Sequence, residues 1–222
     1  MKKKRVLALF LVLILIASMP SIKVSADENK TKNIILIDPG HGGIDGGAKS
    51  KNGTIEKDIN LEIAIKLKEN LENNGYEVYM TRDSDTQLDK KKASDLNERC
   101  KMKKDTKCDI FISIHQNMFP QSNCFGAQVW YSDNENSSLL AENIQNSLKE
   151  IIQDNNKRIA KAAKDQYRIL RDKYEGACVL VECGFLSNYD EEQRLKNGDH
   201  QNKVVEGITK GINQYFEDKN KQ

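Results

Sequence analysis

From Asn33 onward, short apolar, β-branched runs alternate with segments of helical period, an order that implies an α/β fold built on a mainly parallel sheet. Asn33–Asp38 (NIILID) is apolar on both faces, as a strand covered on both sides must be. Apolar residues recur at Ile59, Ile63, Leu67 and Leu71 within Lys57–Asn74, which predicts a helix that Gly75 stops. Tyr76–Thr81 predicts a second strand, a helical pattern surrounds Ala93, Leu96 and Cys100, and Cys108–His115 (CDIFISIH) predicts a third strand. Gly126–Tyr131 and Ala177–Glu182 read as strands, Ser137–Ile152 as a helix and Tyr167–Leu170 as a short extended piece. Val204, Val205, Ile208, Ile212 and Phe216 share one face of a closing helix, in which His200 is expected on the solvated surface. No repeat, low-complexity block or Pro/Gly-rich linker divides residues 33–217. The expectation is one α/β domain, with a central mostly parallel sheet flanked by helices and a polar tail over 218–222.

Residues 1–26 stand apart from that pattern. Lys2–Arg5 form a charged start, and Val6–Ala17 an unbroken apolar run of 12 residues. Twelve residues rise only about 18 Å as helix, short of a hydrocarbon core of roughly 30 Å, so the segment reads as a secretory leader. Small residues in Val24-Ser25-Ala26 favour cleavage after Ala26, an uncleaved amino-terminal anchor being the alternative, and residues 27–32 form a polar linker. Either way the domain is expected beyond the cytoplasmic membrane, touching it only through an uncleaved leader. The leader also distorts the charge balance: without its five bases the chain carries 30 bases against 33 acids, which leaves no basic stripe for nucleic acid. Five cysteines (Cys100, Cys108, Cys124, Cys178 and Cys183) without a C-x-x-C spacing argue against a disulfide framework.

In a parallel sheet the carboxyl ends of the strands share one edge, where ligands bind. His41 follows the first predicted strand, His115 ends the third and Glu182 ends the last, so two imidazoles and a carboxylate converge there. The loop Gly40–Gly47 holds five glycines in eight residues, which points to close backbone approach. It is not a phosphate loop: Gly43–Ser50 has Ala48 where the second glycine belongs, and Gly40-x-Gly42-x-x ends on Asp45 where the dinucleotide pattern needs glycine. A divalent metal held by two histidines needs a third ligand, and Glu56, in the loop before the first helix, is the best candidate. An interaction with that helix's amino-terminal dipole explains Glu56 equally well.

Four segments carry a resemblance. Asp38-Pro39-Gly40-His41-Gly42-Gly43, Glu56-Lys57, Ser113-Ile114-His115-Gln116-Asn117 and Val181-Glu182-Cys183-Gly184-Phe185-Leu186-Ser187-Asn188 resemble the ordered signatures of zinc-dependent N-acetylmuramoyl-L-alanine amidases, the Amidase_3 family. The likeness covers about residues 33–217, with lesser agreements at Arg82-Asp83, Arg99 and Arg168–Arg171. It implies one zinc ion on His41, Glu56 and His115 with a position left for water, and Glu182 as the catalytic carboxylate. Gly176-Ala177-Cys178 replaces the proline common before the catalytic strand, and Lys101–Lys107 is richer in lysine than in relatives.

A leader, one catalytic domain and no wall-binding repeats resemble the sporulation members of the family. They act on cortex peptidoglycan in the space around the developing spore, in the step toward muramic-δ-lactam. Those relatives also suggest an activating partner protein in the same compartment. Asp38 and Asn117 are candidates for orienting the imidazoles, and Arg168 or Arg171 is the alternative partner for Glu182. Two other readings stay open: a cysteine-dependent wall amidase using Cys183, and a zinc-dependent peptidoglycan binder with no need of Glu182.

Overall fold

The computed structural model describes residues 32–153 and 155–221; the leader and nearly all of the polar linker fall outside them. Six strands form one sheet in the order β2-β1-β3-β6-β4-β5. They are β1 (Ile34–Pro39), β2 (Glu77–Met80), β3 (Ile110–Asn117), β4 (Gln128–Tyr131), β5 (Lys161–Ala162) and β6 (Ala177–Phe185). β2, β1, β3 and β6 are parallel, β4 runs antiparallel to β6, and β5 is parallel to β4. Among the described residues, five α-helices complete the fold: α1 (Glu56–Asn73), α2 (Lys92–Thr106), α3 (Glu135–Ile152), α4 (Tyr189–Leu195) and α5 (Gly198–Lys219). Among the described residues no helix is long and apolar enough to cross a membrane.

Strand alternation sorts the core into two layers. One sheet face carries Ile35, Ile37, Ile112, Ile114, Val179, Val181 and Cys183, and α1, α3 and α5 cover it through Ile63, Leu67, Leu140, Ile144, Ile208 and Ile212. The other face carries Leu36, Phe111, Cys178 and Leu180, and a thinner layer of α2 and the Ile169-Leu170 turn covers it. Cys178 and Cys183 thus lie on opposite faces, and all five thiols are free. Residues 38, 40, 113, 115 and 182 extend the second face to the carboxyl edge of the sheet, where its covering layer opens.

Four elements depart from the sequence reading, the first being the two-residue strand β5, which no apolar run announces. Tyr167–Leu170 is not extended: Arg168–Leu170 is a 3₁₀ turn, closed by Leu170 N–H to the Tyr167 carbonyl at 3.1 Å, because Ile169 and Leu170 must both turn inward against α2. The seven-residue helix α4 has no strong apolar period and starts on a side-chain cap, Asn188 accepting from Asp190 N and Glu191 N. α5 continues to Lys219, taking two residues assigned to the polar tail, and His200 is half-buried on it, not fully solvated.

Candidate active site

Three donors meet where β1, β3 and the start of α1 converge. His41 Nε2 lies 3.3 Å from Glu56 Oε2, His115 Nδ1 lies 2.9 Å from Glu56 Oε1, and the imidazoles stand edge to face with centroids 5.0 Å apart. One ligand atom from each residue falls within 4.8 Å of the other two, the only such group of three or more among the described residues. Glu56 is not in the preceding loop: it is the first residue of α1, so the dipole reading and the ligand reading hold together. Burial alone would push its carboxyl up, but hydrogen bonds and charge from His115 and His41 hold it far below the usual range. For His41, burial opposes protonation, and Glu56 and Asp45 together outweigh it, so its pKa is raised.

The glycines make this approach possible. A Cβ on Gly40 would sit 2.2 Å from the His115 ring, and one on Gly47, whose φ is +68°, would sit 2.5 Å from Glu56 Oε2 and 2.6 Å from the His41 ring. Any larger residue at either position displaces a donor. Two imidazoles and a carboxylate, cradled against bare backbone and aimed at a common point, are a donor set that suits Zn²⁺ with one position to spare.

Buried polar groups hold the donors in place. Asn60 Nδ2 donates to the Gly40 carbonyl at 3.1 Å and to Glu56 Oε1 at 3.3 Å, Gln116 N donates to Glu56 Oε1 at 3.1 Å, and Gln116 Nε2 donates to Asn60 Oδ1. Arg82 Nε and Nη2 donate to the carbonyls of Pro39 and Gly40, and Arg99 Nη2 to that of His41 at 2.8 Å. Asp38 corrects the expectation set for it. It touches no imidazole; fully buried, it accepts from Arg99 Nη1 at 2.6 Å, Thr81 Oγ1 and Ser113 Oγ, and so acts on the His41 backbone through Arg99. The carboxylate beside the His41 ring is Asp45, 3.0 Å from Nδ1. Asn117 likewise makes no side-chain bond to an imidazole; its carbonyl accepts from Leu186 N at 2.8 Å. Asn60, Gln116 and Asp45 went unassigned in the sequence, although Asn60 stands one helical turn after Glu56 and Asp45 four residues after His41.

Register places the fourth residue. β3 pairs with β6 so that His115 and Glu182 are direct neighbours, with side chains on the same face. Glu182 is 7% exposed, its Oε2 has no hydrogen-bond partner, and its Oε1 accepts from the Tyr167 hydroxyl at 3.4 Å. Burial, with Glu56 adding to it, pushes its carboxyl up to about 7 against the opposing charge of His115. Neither arginine reaches it: Arg168 bonds Asn97 and Cys100, and Arg171 the Asp165 carbonyl. Cys183 is 2% exposed on the opposite face, burial raising its thiol pKa, so it is withdrawn from this site. A cavity of about 290 Å³ opens onto His41 and His115, walled by the Gly40–Asp45 loop, residues 87–92 and α2.

The sequence profile of the N-acetylmuramoyl-L-alanine amidases (Amidase_3) matches residues 35–214. The germination-specific N-acetylmuramoyl-L-alanine amidase of Bacillus subtilis (strain 168) is 38% identical over 198 residues, 84% of this chain and 81% of that one. The probable cell wall amidase LytH of Staphylococcus aureus is 34% identical over 206 residues, 88% of this chain and 64% of its own. The structure of the CwlD amidase from Clostridioides difficile in complex with the GerS lipoprotein superposes with a TM-score of 0.79 at 38% identity, covering 84% of this chain and 99% of that one. With the profile spanning most of the chain and relatives of this identity matched over most of their own length, the chain belongs to the Amidase_3 family of N-acetylmuramoyl-L-alanine amidases.

Proposed function

We propose that this enzyme hydrolyses the amide between N-acetylmuramic acid and L-alanine in cortex peptidoglycan, using one Zn²⁺ held by His41, Glu56 and His115 and Glu182 as proton carrier. The observation that carries the reading is the β3–β6 register, which sets the buried Glu182 carboxyl beside the three-donor cluster. A bound Zn²⁺ would supply Lewis acidity, lowering the pKa of water and polarising the scissile carbonyl. The rest falls to the chain. Glu182, with Oε2 free of partners, takes the proton of the attacking water and delivers it to the leaving L-alanine amine. Tyr167 orients Oε1 of the same carboxyl. Asn60 and the Gln116 amide fix Glu56 Oε1, while Asp45 stands at the outer nitrogen of His41.

The biological setting rests on the relatives. The germination-specific relative and CwlD support action on spore cortex in the space around the developing spore, reached through the leader over residues 1–26. The GerS complex of CwlD supports a partner protein in that compartment. The reaction is tested by digesting peptidoglycan with the purified protein and analysing products by mass. Stem peptides with free L-alanine amino termini are expected, with zinc present in the protein. A digest with shortened glycans or cleaved cross-links, but no free L-alanine, would contradict the assignment.

A further inference from the structure

A second buried carboxylate, outside the lining of the cavity, has no part assigned in the chemistry. Glu192 lies in α4, one turn beyond the end of β6, and is 1% exposed. Its side-chain donors all come from one short turn before α1: Ser50 Oγ at 2.7 Å and Thr54 Oγ1 at 2.5 Å on Oε1, and Asn52 Nδ2 at 2.6 Å on Oε2. The turn is braced internally, Ser50 Oγ accepting from Asn52 N and Thr54 N, and Ser50 N donating to the Thr54 carbonyl. Lys49 and Ile55 then form an antiparallel bridge. The next pair is Ala48 and Glu56: Glu56 N donates to the Ala48 carbonyl at 2.9 Å, and Ala48 N donates at 2.8 Å to Glu56 Oε2, the oxygen facing His41.

The beginning of α1 depends on this hairpin. Its N-cap is Ile55, which offers no side-chain acceptor, so the first two amides of the helix are satisfied by the loop backbone, Glu56 N by the Ala48 carbonyl and Lys57 N by that of Gly46. A buried carboxylate that spends its oxygens on three neutral donors of one turn, bonds that outweigh burial and hold its carboxyl below the usual range, is a firm tie between that turn and α4. It is an effective way to fix the position of whatever that loop presents.

We propose that Glu192 is a positioning residue for the metal centre: through the Ser50–Thr54 turn it sets the Ala48–Glu56 pair, and so the carboxylate that the histidines share. The inference rests on Glu56 being a metal ligand. It also links the two glutamates mechanically, because α4 is covalently continuous with β6, the strand of Glu182.

The test measures Zn²⁺ affinity of the whole chain by competition with a chromophoric chelator, and the visible spectrum of the Co²⁺-substituted protein. Glu192→Ala is expected to weaken Zn²⁺ binding roughly 10- to 100-fold, the usual range for a residue supporting a ligand, and to shift the Co²⁺ bands. Glu192→Gln, which keeps one acceptor oxygen for Ser50 and Thr54, should restore part of both. Leu195→Ala removes a buried side chain from the same helix and lowers the melting temperature, but should leave affinity and spectrum as in wild type. Should Glu192→Ala fail to fold, Thr54→Val removes one donor at constant shape and is expected to give a smaller shift of the same sign. A folded Glu192→Ala or Thr54→Val with wild-type affinity and bands would overturn the proposal. Wild type that binds neither ion would overturn the metal reading itself, and this inference with it.

Discussion

Glu182 faces the site with an unpartnered oxygen, and its charge is the costly form. In the metal-free protein its carboxyl is raised from 4.5 to about 7, so it stays protonated in the fold where the unfolded chain has already released the proton. A raised folded pKa gives a contribution complete below pH 4.5 and lost as pH climbs through 7. Glu182→Gln, which cannot ionise, is therefore expected to match wild type near pH 4 in chelator and to exceed it by about 3 kcal/mol at pH 8, in urea unfolding. Parallel pH curves for the two proteins would contradict the environment described for this residue. Gly40 is the complementary case. Gly40→Ala must drive a Cβ into the His115 ring, so it should cost about 1–3 kcal/mol of stability and empty the metal site, measured by melting and zinc content.

At the scale of elements, the thin layer on the second sheet face depends on one buried cation. Lys103 of α2 is 0% exposed, donates to the Ile169 carbonyl and Asp172 Oδ1, both at 2.7 Å, and lies 4.7 Å from the centre of the Phe111 ring. It fastens α2 to the segment that carries Tyr167. Lys103→Ala strands Asp172 in a nearly buried position and is expected to cost about 3–5 kcal/mol in denaturant unfolding, with Lys103→Ala/Asp172→Ala costing less than the two single changes together. Helices α1, α3 and α5 and the long strands were legible in the sequence because their apolar periods report burial directly, Ile59-Ile63-Leu67-Leu71 being the plainest. The 3₁₀ turn and α4 were not, since each is short and is fixed by distant groups: Ile169 by α2, and Glu192 by residues about 140 positions earlier. His41, His115 and Glu182 could be placed toward one edge of the sheet from their runs alone, but not at the strand ends expected: β3 runs on to Asn117 and β6 to Phe185. Their supports could not: Asp38 next to a histidine in a motif looks like its partner, and only the pairing of β1 with β3 and the reach of Arg99 show otherwise.

For the molecule as a whole, metal, export and partner are linked. A site built from three elements gains binding energy only in the folded chain, so removing zinc should lower the melting temperature; saturation at 100 times Kd corresponds to about 2.7 kcal/mol. Cleavage after Ala26, the expectation for residues 1–26, predicts a mature protein beginning at Asp27, read directly by intact mass, whereas an intact amino terminus would favour the uncleaved anchor. A partner that stabilises the centre predicts substoichiometric zinc in the isolated protein and a higher content in the complex, whereas full loading and full activity alone would count against such a role. The binding-module and cysteine readings are addressed at this scale too: Cys183→Ala should keep activity that a chelator abolishes.

The most direct test sets two variants side by side, assayed for bound zinc and for release of stem peptides with free L-alanine. Glu56→Ala removes a ligand, so metal and turnover are expected to fall together. Glu182→Gln keeps shape and polarity without the proton acceptor, so zinc should stay bound while turnover drops by roughly 10²- to 10⁴-fold. A folded Glu182→Gln that lost its zinc, or one that kept both zinc and full turnover, would contradict the division of roles between the two glutamates.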